Sequence, residues 1–391
     1  MIKCLDTISF YKQILQCAIM QYRILGNTKL KASEIGLGCE WLNKQPTETV
    51  KSVIDKAIVN EINYFDIVYN FEAYLKNLRN AFKNHMRENL ILTHHLGSGE
   101  KDGRYQKTRN IKKIMQYFDR YLEIMDVDYV DIGLVHFVMS EKQYKQCCQE
   151  NGVFDLANQL KNDGKIRYIG MSTHDTNVAI QAAEQKTVDM VMFQVNMANN
   201  LMEDRNRALS VCKEKGLGIV AMKPFAGGRL LMEGSVSIAG YQRGGKGTKK
   251  TIKNPITPIK CLHYVLSQPG LNVVLPGVKN VSELDQILAY LVATPEEKDY
   301  SEVLKSFKEY KEGHCVFCDH CSPCPQGIDI GEVFRYYYMA SIGDVSKIRS
   351  DYSKLTKKAS DCIQCNVCIL RCPFNVPILE NMEKAIKLFG Y

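Results

Sequence analysis

Two cysteine runs near the end of the chain carry the clearest chemistry. The first reads Cys315-x2-Cys318-x2-Cys321-x2-Cys324-Pro325, and the second Cys362-x2-Cys365-x2-Cys368-x3-Cys372-Pro373. Three thiolates packed into one tight loop can wrap one face of an iron–sulfur cubane, whereas a CxxC…CxxC zinc site takes only two per loop. The second run has the bacterial four-iron spacing, and the first is one residue short in its last gap. A proline after each fourth cysteine stops the chain and can aim that thiolate away from its own loop. In two-cluster ferredoxins the fourth cysteine of each run serves the other cluster. That rule groups Cys315, Cys318, Cys321 and Cys372 around one [4Fe–4S] cluster, and Cys362, Cys365, Cys368 and Cys324 around a second. Zinc and disulfides are the rival readings.

The rest of the composition is ordinary. Of 391 residues, 45% are hydrophobic and 24% charged, which excludes disorder, collagen and coiled coil. A net charge of +8 is mild at this length and does not by itself imply nucleic acid. No stretch approaches the roughly 20 apolar residues of a membrane helix. Residues 1–19 do not make a secretory signal, because Lys12, Gln13 and Gln16 break the only apolar run. They read as an N-terminal extension, either an added helix or an over-long start. A cytoplasmic, reducing location is therefore expected, where dense cysteine spacing means metal more often than disulfides. The remaining cysteines (Cys4, Cys17, Cys39, Cys147, Cys148, Cys212 and Cys261) lack ligand spacing and read as ordinary thiols.

From Met20 to about residue 300, short β-type runs alternate with amphipathic stretches. Strands are expected at Glu34–Gly38, Asn63–Asp66, Leu90–His95, Val130–His136, Arg167–Ser172, Met190–Val195, Gly218–Lys223 and Asn272–Pro276. Continuous apolar runs such as DIGLVHF mark strands buried on both faces. Helices are expected at Val50–Asn60, Glu72–Asn84, Asn110–Met125, Glu141–Lys161, Thr176–Glu184, Met202–Lys215, Pro258–Leu266 and Ser282–Ala293. Ser282 and Asp285 resemble a capping box, and Gly164 and Gly216 suit positions just past helix ends.

Eight β–α units of this length predict a (β/α)8 barrel. A doubly wound sheet would carry GxGxxG after its first strand, and GLGCEW does not. The preceding YRILGNTKLKAS reads as a hairpin that plugs the barrel floor. The loop Gly234–Pro255 concentrates Arg243, Lys246, Lys249, Lys250 and Lys253; it reads as either an anion-wrapping or a solvated segment. Residues 301–391 form a small α-helical ferredoxin-like domain in this reading. Ile330–Ala340 and Asp344–Ala359 are its helices, and Tyr336, Tyr337 and Tyr338 pack around the clusters.

Residues 20–294 resemble the aldo/keto reductases. YRILGNTKLKASEIGLGCEWL is similar to that family's opening, and INYFDIV, VDIGLVH, IRYIGMSTHD, FQVNMANN and IVAMKPFAGGRLL follow in family order. The cysteine-rich end is similar to the ferredoxin extension on one branch of the family. The resemblance implies carbonyl reduction with NADPH by an Asp, a Tyr five residues later, a Lys ending strand three and a His ending strand four. Asp66 and His136 stand at the Asp and His positions, but the Tyr is Phe71 and the Lys is His95. Phenyl cannot donate a proton, so His95, His136, Tyr69 and Tyr74 are the candidates to replace it. On the cofactor side the resemblance assigns Ser172, Gln194, Lys223, Gly277 and Lys279. Thr173, Met222 and Ile287 depart from its usual Asn, aromatic and adenine-facing Asn.

The expectation is an iron–sulfur oxidoreductase acting at Asp66, His95 and His136 on a small organic carbonyl or hydroxyl. A ferredoxin or flavoprotein is its redox partner, because hydride moves two electrons while each cluster moves one. A second version drops NADPH and takes electrons through the clusters alone. The alternative is a non-catalytic electron-transfer subunit whose barrel is a docking body.

Overall fold

The computed structural model describes residues 20–101, 103–199, 203–231, 256–308, 315, 321–340, 345–372 and 376–390. The extension 1–19, the loop Gly234–Pro255 and Cys318 lie outside the described residues. The chain divides into two compact units. One is the barrel; the other holds the chain from Asp299 onward, with the described residues of 196–202 and 225–257.

The first unit opens with the antiparallel pair β1 (Tyr22–Ile24) and β2 (Lys31–Ser33). Its turn needs Gly26, whose φ is +55° and whose added Cβ would lie 2.1 Å from Gly218 N. The hairpin plugs the barrel: Leu25, Leu30 and Ala32 share a buried cluster with Tyr64, Ile132, Met190, Val220 and Val273.

Eight parallel strands follow: β3 (Leu37–Gly38), β4 (Tyr64–Asp66), β5 (Ile91–Leu96), β8 (Val130–Val135), β9 (Ile166–Thr173), β10 (Met190–Gln194), β11 (Gly218–Met222) and β12 (Val273–Leu275). Bridges Ile35–Val274 and Gly38–Gly277 bring the last strand back to the first. Every residue of β5 and β8 is buried, as their apolar runs require. The buried Asp131 carboxylate ties three of these elements together. It accepts from Leu92 N at 3.0 Å and pairs with Arg87 and Arg167 at 2.9 and 2.8 Å.

Helices α1 (Thr47–Val59), α2 (Glu72–Phe82), α3 (Ile111–Met125), α6 (Thr176–Gln185), α7 (Glu203–Glu214) and α8 (Pro258–Leu266) match the expected stretches within a few residues. The α3 face Ile114, Phe118, Tyr121 and Met125 is buried, and Asn110 caps the helix by accepting from Lys113 N.

Two expectations need correction, and one element was not anticipated. The stretch Glu141–Lys161 is two helices, α4 (Glu141–Cys147) and α5 (Val153–Asn162). Asn151 turns the chain with φ +58°, and a Cβ at Gly152 would lie 2.6 Å from Cys147 O. Helix α9 (Val281–Leu288) is capped by Asn280, whose side chain accepts from Glu283 N, rather than by Ser282. The added element follows β5, where neither strand nor helix was assigned. It forms the antiparallel hairpin β6 (Ser98–Lys101) and β7 (Arg104–Lys107).

The second unit is helical where described: α10 (Ser301–Lys308), α11 (Ile330–Ala340), α12 (Val345–Ser353), α13 (Val367–Leu370) and α14 (Ile378–Phe389). Tyr352 organises this unit's core. It stacks on Phe389 at 4.1 Å, takes Tyr336 edge-on at 5.9 Å and accepts from Ala359 N at 2.9 Å. Tyr336 therefore packs among these rings, and the Tyr338 side chain is outside the described residues. Among the described residues, no helix is long and apolar enough to cross a membrane.

Candidate active site and cysteine-lined cavity

Asp66, His95 and His136 come from the ends of three adjacent strands, β4, β5 and β8, and all three are buried. They form one hydrogen-bonded chain. His95 Nε2 lies 2.9 Å from Asp66 Oδ1, and His95 Nδ1 lies 2.9 Å from His136 Nδ1. The outer nitrogen, His136 Nε2, meets the Tyr105 hydroxyl at 2.5 Å. Thr93 fixes the inner end by donating to Asp66 Oδ1 at 2.7 Å.

Tyr105 sits on β7, the strand that sequence reasoning missed. Its hairpin is firmly seated. Ser98 Oγ donates to Val68 O, Asn70 Nδ2 donates to Ser98 O at 2.8 Å, and Tyr117 OH donates to Glu100 O at 3.0 Å. Gly99 has no room for a Cβ, which would lie 2.3 Å from the Tyr117 ring, so the strand rides directly on α3. The signal available in the sequence was Asp102-Gly103, a two-residue hairpin turn between SGEK and RYQK. Of the other two tyrosine candidates, Tyr69 donates to Glu40 Oε1 at 2.9 Å, and Tyr74 is buried with its hydroxyl making no hydrogen bond among the described residues.

The electrostatics favour a neutral relay with a protonated outer end. Burial, followed by the neighbouring His95, Arg109 and Lys107, holds His136 well below the usual histidine range. Burial and the Glu40 carboxylate push the Tyr105 phenol up, against an opposing pull from Arg109. A carboxylate at Asp66 can only accept, so His95 Nε2–H donates to it. His95 Nδ1 must then accept from His136 Nδ1–H, which leaves His136 Nε2 to accept from Tyr105 O–H. His94, one residue before His95, belongs to the outer packing. It lies 4.3 Å from the Tyr121 ring, and burial pushes it down to about 3.

The residue after His136 is held in place from two sides. Phe137 has φ +52°; its N–H donates to Ser172 Oγ at 2.8 Å, while Arg109 Nη2 donates to His136 O and Phe137 O at 2.7 and 3.2 Å. Ser172 thus supports the backbone behind the relay. Gln194 is buried at the end of β10, and Lys223 follows β11 with φ +56°. Gly277 lies under Trp41, since a Cβ there would be 2.4 Å from Trp41 Cδ1, and Lys279 Nζ stands 4.9 Å over the Trp41 ring. The turn before α9 is occupied by protein groups. Lys279 N donates to Glu283 Oε2 at 2.8 Å, and Glu283 N donates to Asn280 Oδ1 at 2.9 Å.

In the second unit, one cavity is lined by Cys324 of the first run and Cys362, Cys365 and Cys368 of the second. Its wall is otherwise mostly apolar, with Ile328, Ile330, Leu379 and Met382, and also includes the polar Gln326 and Asn366. Arg371 links the runs by donating to Pro323 O at 3.1 Å. Cys315 and Cys321 are buried, and Cys372 is half-buried. Four thiols from two runs line this space, although among the described residues no three His, Cys, Asp or Glu side chains are placed closely enough to hold a metal ion together.

The model of the aldo/keto reductase family matches residues 34–246, more than half of the chain. The chain belongs to the aldo/keto reductase family. C-terminal to that match, residues 314–377 match a 4Fe-4S dicluster domain. An uncharacterized oxidoreductase of Bacillus subtilis is 26% identical over 283 residues, covering 68% of this chain and 89% of that protein. L-galactose dehydrogenase of Arabidopsis thaliana is 24% identical, covering 69% and 88%. L-glyceraldehyde 3-phosphate reductase of Escherichia coli is 25% identical, covering 54% of this chain and 63% of its own length. Among solved structures, an aldo-keto reductase from Bacillus halodurans in its holo form shares the fold. Its TM-score is 0.57 at 20% identity, covering 74% of this chain and 96% of that one. The chain is thus an oxidoreductase of this family that carries a 4Fe-4S domain.

Proposed function

We propose that the barrel interconverts a small organic carbonyl and its alcohol, with Tyr105 as proton donor at the outer end of a relay through His136, His95 and Asp66. The hydrogen-bonded chain from Asp66 Oδ1 to the Tyr105 hydroxyl carries this reading. Carbonyl reduction adds two electrons and two protons overall, one to carbon and one to oxygen; the electrons would come singly from the ferredoxin or flavoprotein partner through the clusters, and the proton on carbon from water. Tyr105 protonates the oxygen. Every donor in the chain points toward Asp66, so in alcohol oxidation Tyr105 O takes the hydroxyl proton as its own passes to His136 Nε2, the His136 Nδ1 proton to His95 Nδ1 and the His95 Nε2 proton to Asp66; reduction runs the same transfers in reverse. Asp66, fixed by Thr93, accepts the His95 Nε2–H hydrogen bond at the inner end of the chain.

Iron–sulfur clusters, which Cys315, Cys318, Cys321, Cys372 and Cys324, Cys362, Cys365, Cys368 would hold, supply one-electron transfer. NADPH is what the family implies for Ser172, Gln194, Lys223, Gly277 and Lys279. The turn before α9 does not fit its phosphate, because two of its amides are taken and the Glu283 carboxylate stands there. We therefore derive no step through a nicotinamide. A small-molecule substrate and a separate ferredoxin or flavoprotein as redox partner follow from this reading. The docking-body alternative is disfavoured because a bonded chain of four ionisable side chains has no need to exist in an inert barrel.

Tyr105→Phe in the anaerobically prepared protein tests the proposal. With L-galactose and L-glyceraldehyde 3-phosphate among the trial substrates, turnover should fall by about 10²- to 10⁴-fold with little change in KM. Turnover within a factor of two of the parent protein would overturn the assignment.

A further inference from the structure

Residues 105 and 107 alternate along β7, so Tyr105 and Lys107 project from the same face of the hairpin. While the Tyr105 hydroxyl meets His136, the Lys107 ammonium stands 3.6 Å from the centroid of the adjacent Phe137 ring. Two further cations are close. Arg109 is committed to His136 O and Phe137 O and hydrogen-bonds the Cys147 thiol, and Lys223 bears electrostatically on Lys107. Among the described residues, neither Lys107 nor Arg109 forms an ion pair. The nearby carboxylates are already engaged: Glu40 accepts from Tyr69, and Glu100 pairs with Arg120 at 3.5 Å.

A lysine on an exposed strand ordinarily extends its ammonium into water. Lys107 is itself exposed on β7, yet its ammonium stands over an aromatic face beside two like charges. Burial first, and then Arg109 and Lys223, push it down to about 8. Such an arrangement raises the free energy of the empty site and is relieved by an incoming anion.

We infer that Lys107, flanked by Arg109 and Lys223, forms a subsite for an anionic group, a carboxylate or a phosphate, carried by the substrate near the carbonyl that meets Tyr105. This deepens the proposed carbonyl chemistry and rests on it for the carbonyl's position. Lys107 is the group that reaches the ligand, and Arg109 positions it by fixing Phe137.

Titration calorimetry on the anaerobic, cluster-loaded protein tests this without turnover. The probes are two matched pairs, pyruvate with methyl pyruvate and dihydroxyacetone phosphate with dihydroxyacetone. At least one anion should bind tenfold or more tightly than its neutral match, and the pair that discriminates identifies carboxylate or phosphate. Lys107→Met, verified as folded by its unchanged melting temperature, should abolish that preference while leaving the neutral probe's affinity within twofold. No preference in either pair, or a preference that survives Lys107→Met, overturns the subsite. Should Lys107→Met fail to fold, Lys107→Arg must retain the preference and Lys107→Gln must lose it. Tyr105→Phe should keep the preference while losing turnover. A preference together with normal turnover in Tyr105→Phe would sink the relay and leave the subsite standing.

Discussion

The barrel mouth and the cysteine-lined cavity solve opposite problems. At the mouth, Asp66, His95, His136 and Tyr105 are already bonded to one another, and Thr93 and Ser172 hold the elements that carry them. Its geometry requires no ligand. In the cavity, Cys324, Cys362, Cys365 and Cys368 face a shared space, and burial followed by neighbouring Cys362 and Cys365 raises the Cys368 thiol. Bound together as thiolates, they would need a metal's positive charge to offset their repulsion. The difference teaches where each site draws its order: the relay is assembled by the fold itself, whereas the cysteines share a cavity without being drawn together by it.

The largest effect should come from breaking the cavity. Cys324→Ser and Cys362→Ser line the same space, so each should remove about half of the iron and sulfide, and the double variant no more than either alone. Cys315→Ser combined with Cys362→Ser should remove nearly all of both. Iron and sulfide analysis on anaerobic samples decides this; additive losses from Cys324→Ser and Cys362→Ser would show that they serve different clusters. Next in size, stripping iron with a chelator should lower the melting temperature of the second unit by ten degrees or more. The barrel's transition in the same calorimetric scan should stay within about two degrees.

A smaller effect concerns pH. His94 is neutral when folded down to about 3 and titrates near its ordinary 6.5 when unfolded. The unfolded chain therefore binds the extra proton, and barrel stability falls as pH drops from about 6.5 toward 3. The slope from this group is about 1.4 kcal/mol per pH unit. His136, also depressed, adds to the loss. Urea midpoints measured across that window should show a shallower decline in His94→Leu, and an unchanged decline would contradict the assignment. Smallest of all, Glu283→Gln should improve NADPH binding a few-fold by removing a charge from the turn before α9, read by fluorescence titration. Weaker binding would show that Glu283 helps to seat the dinucleotide.

The two regions also differed in how far the sequence exposed them. The candidate cysteine ligands announce themselves through local spacing, and Asp66, His95 and His136 through the tetrad positions that the aldo/keto reductase resemblance assigns at the ends of buried, apolar strands. Tyr105 had neither advantage. Its hairpin is half-exposed and packs through Gly99 rather than through an apolar side chain, so no period-2 hydrophobic pattern marked it. Its partner His136 is distant in sequence, and only the fold brings the two together. The division of Glu141–Lys161 was concealed for a related reason: Asn151-Gly152 break the helix through backbone conformation, while the apolar pattern continues on both sides.

The most direct test of the relay is the tautomeric state of His136, read by nitrogen NMR on protein with labelled histidine at pH 7. Free imidazole prefers its proton on Nε2, so a relay that imposes the other tautomer is distinguishable. The account predicts neutral His136 with its proton on Nδ1 and a bare Nε2 whose resonance moves when Tyr105→Phe removes the donor. A proton on His136 Nε2 at rest, or a resonance indifferent to Tyr105→Phe, would contradict it.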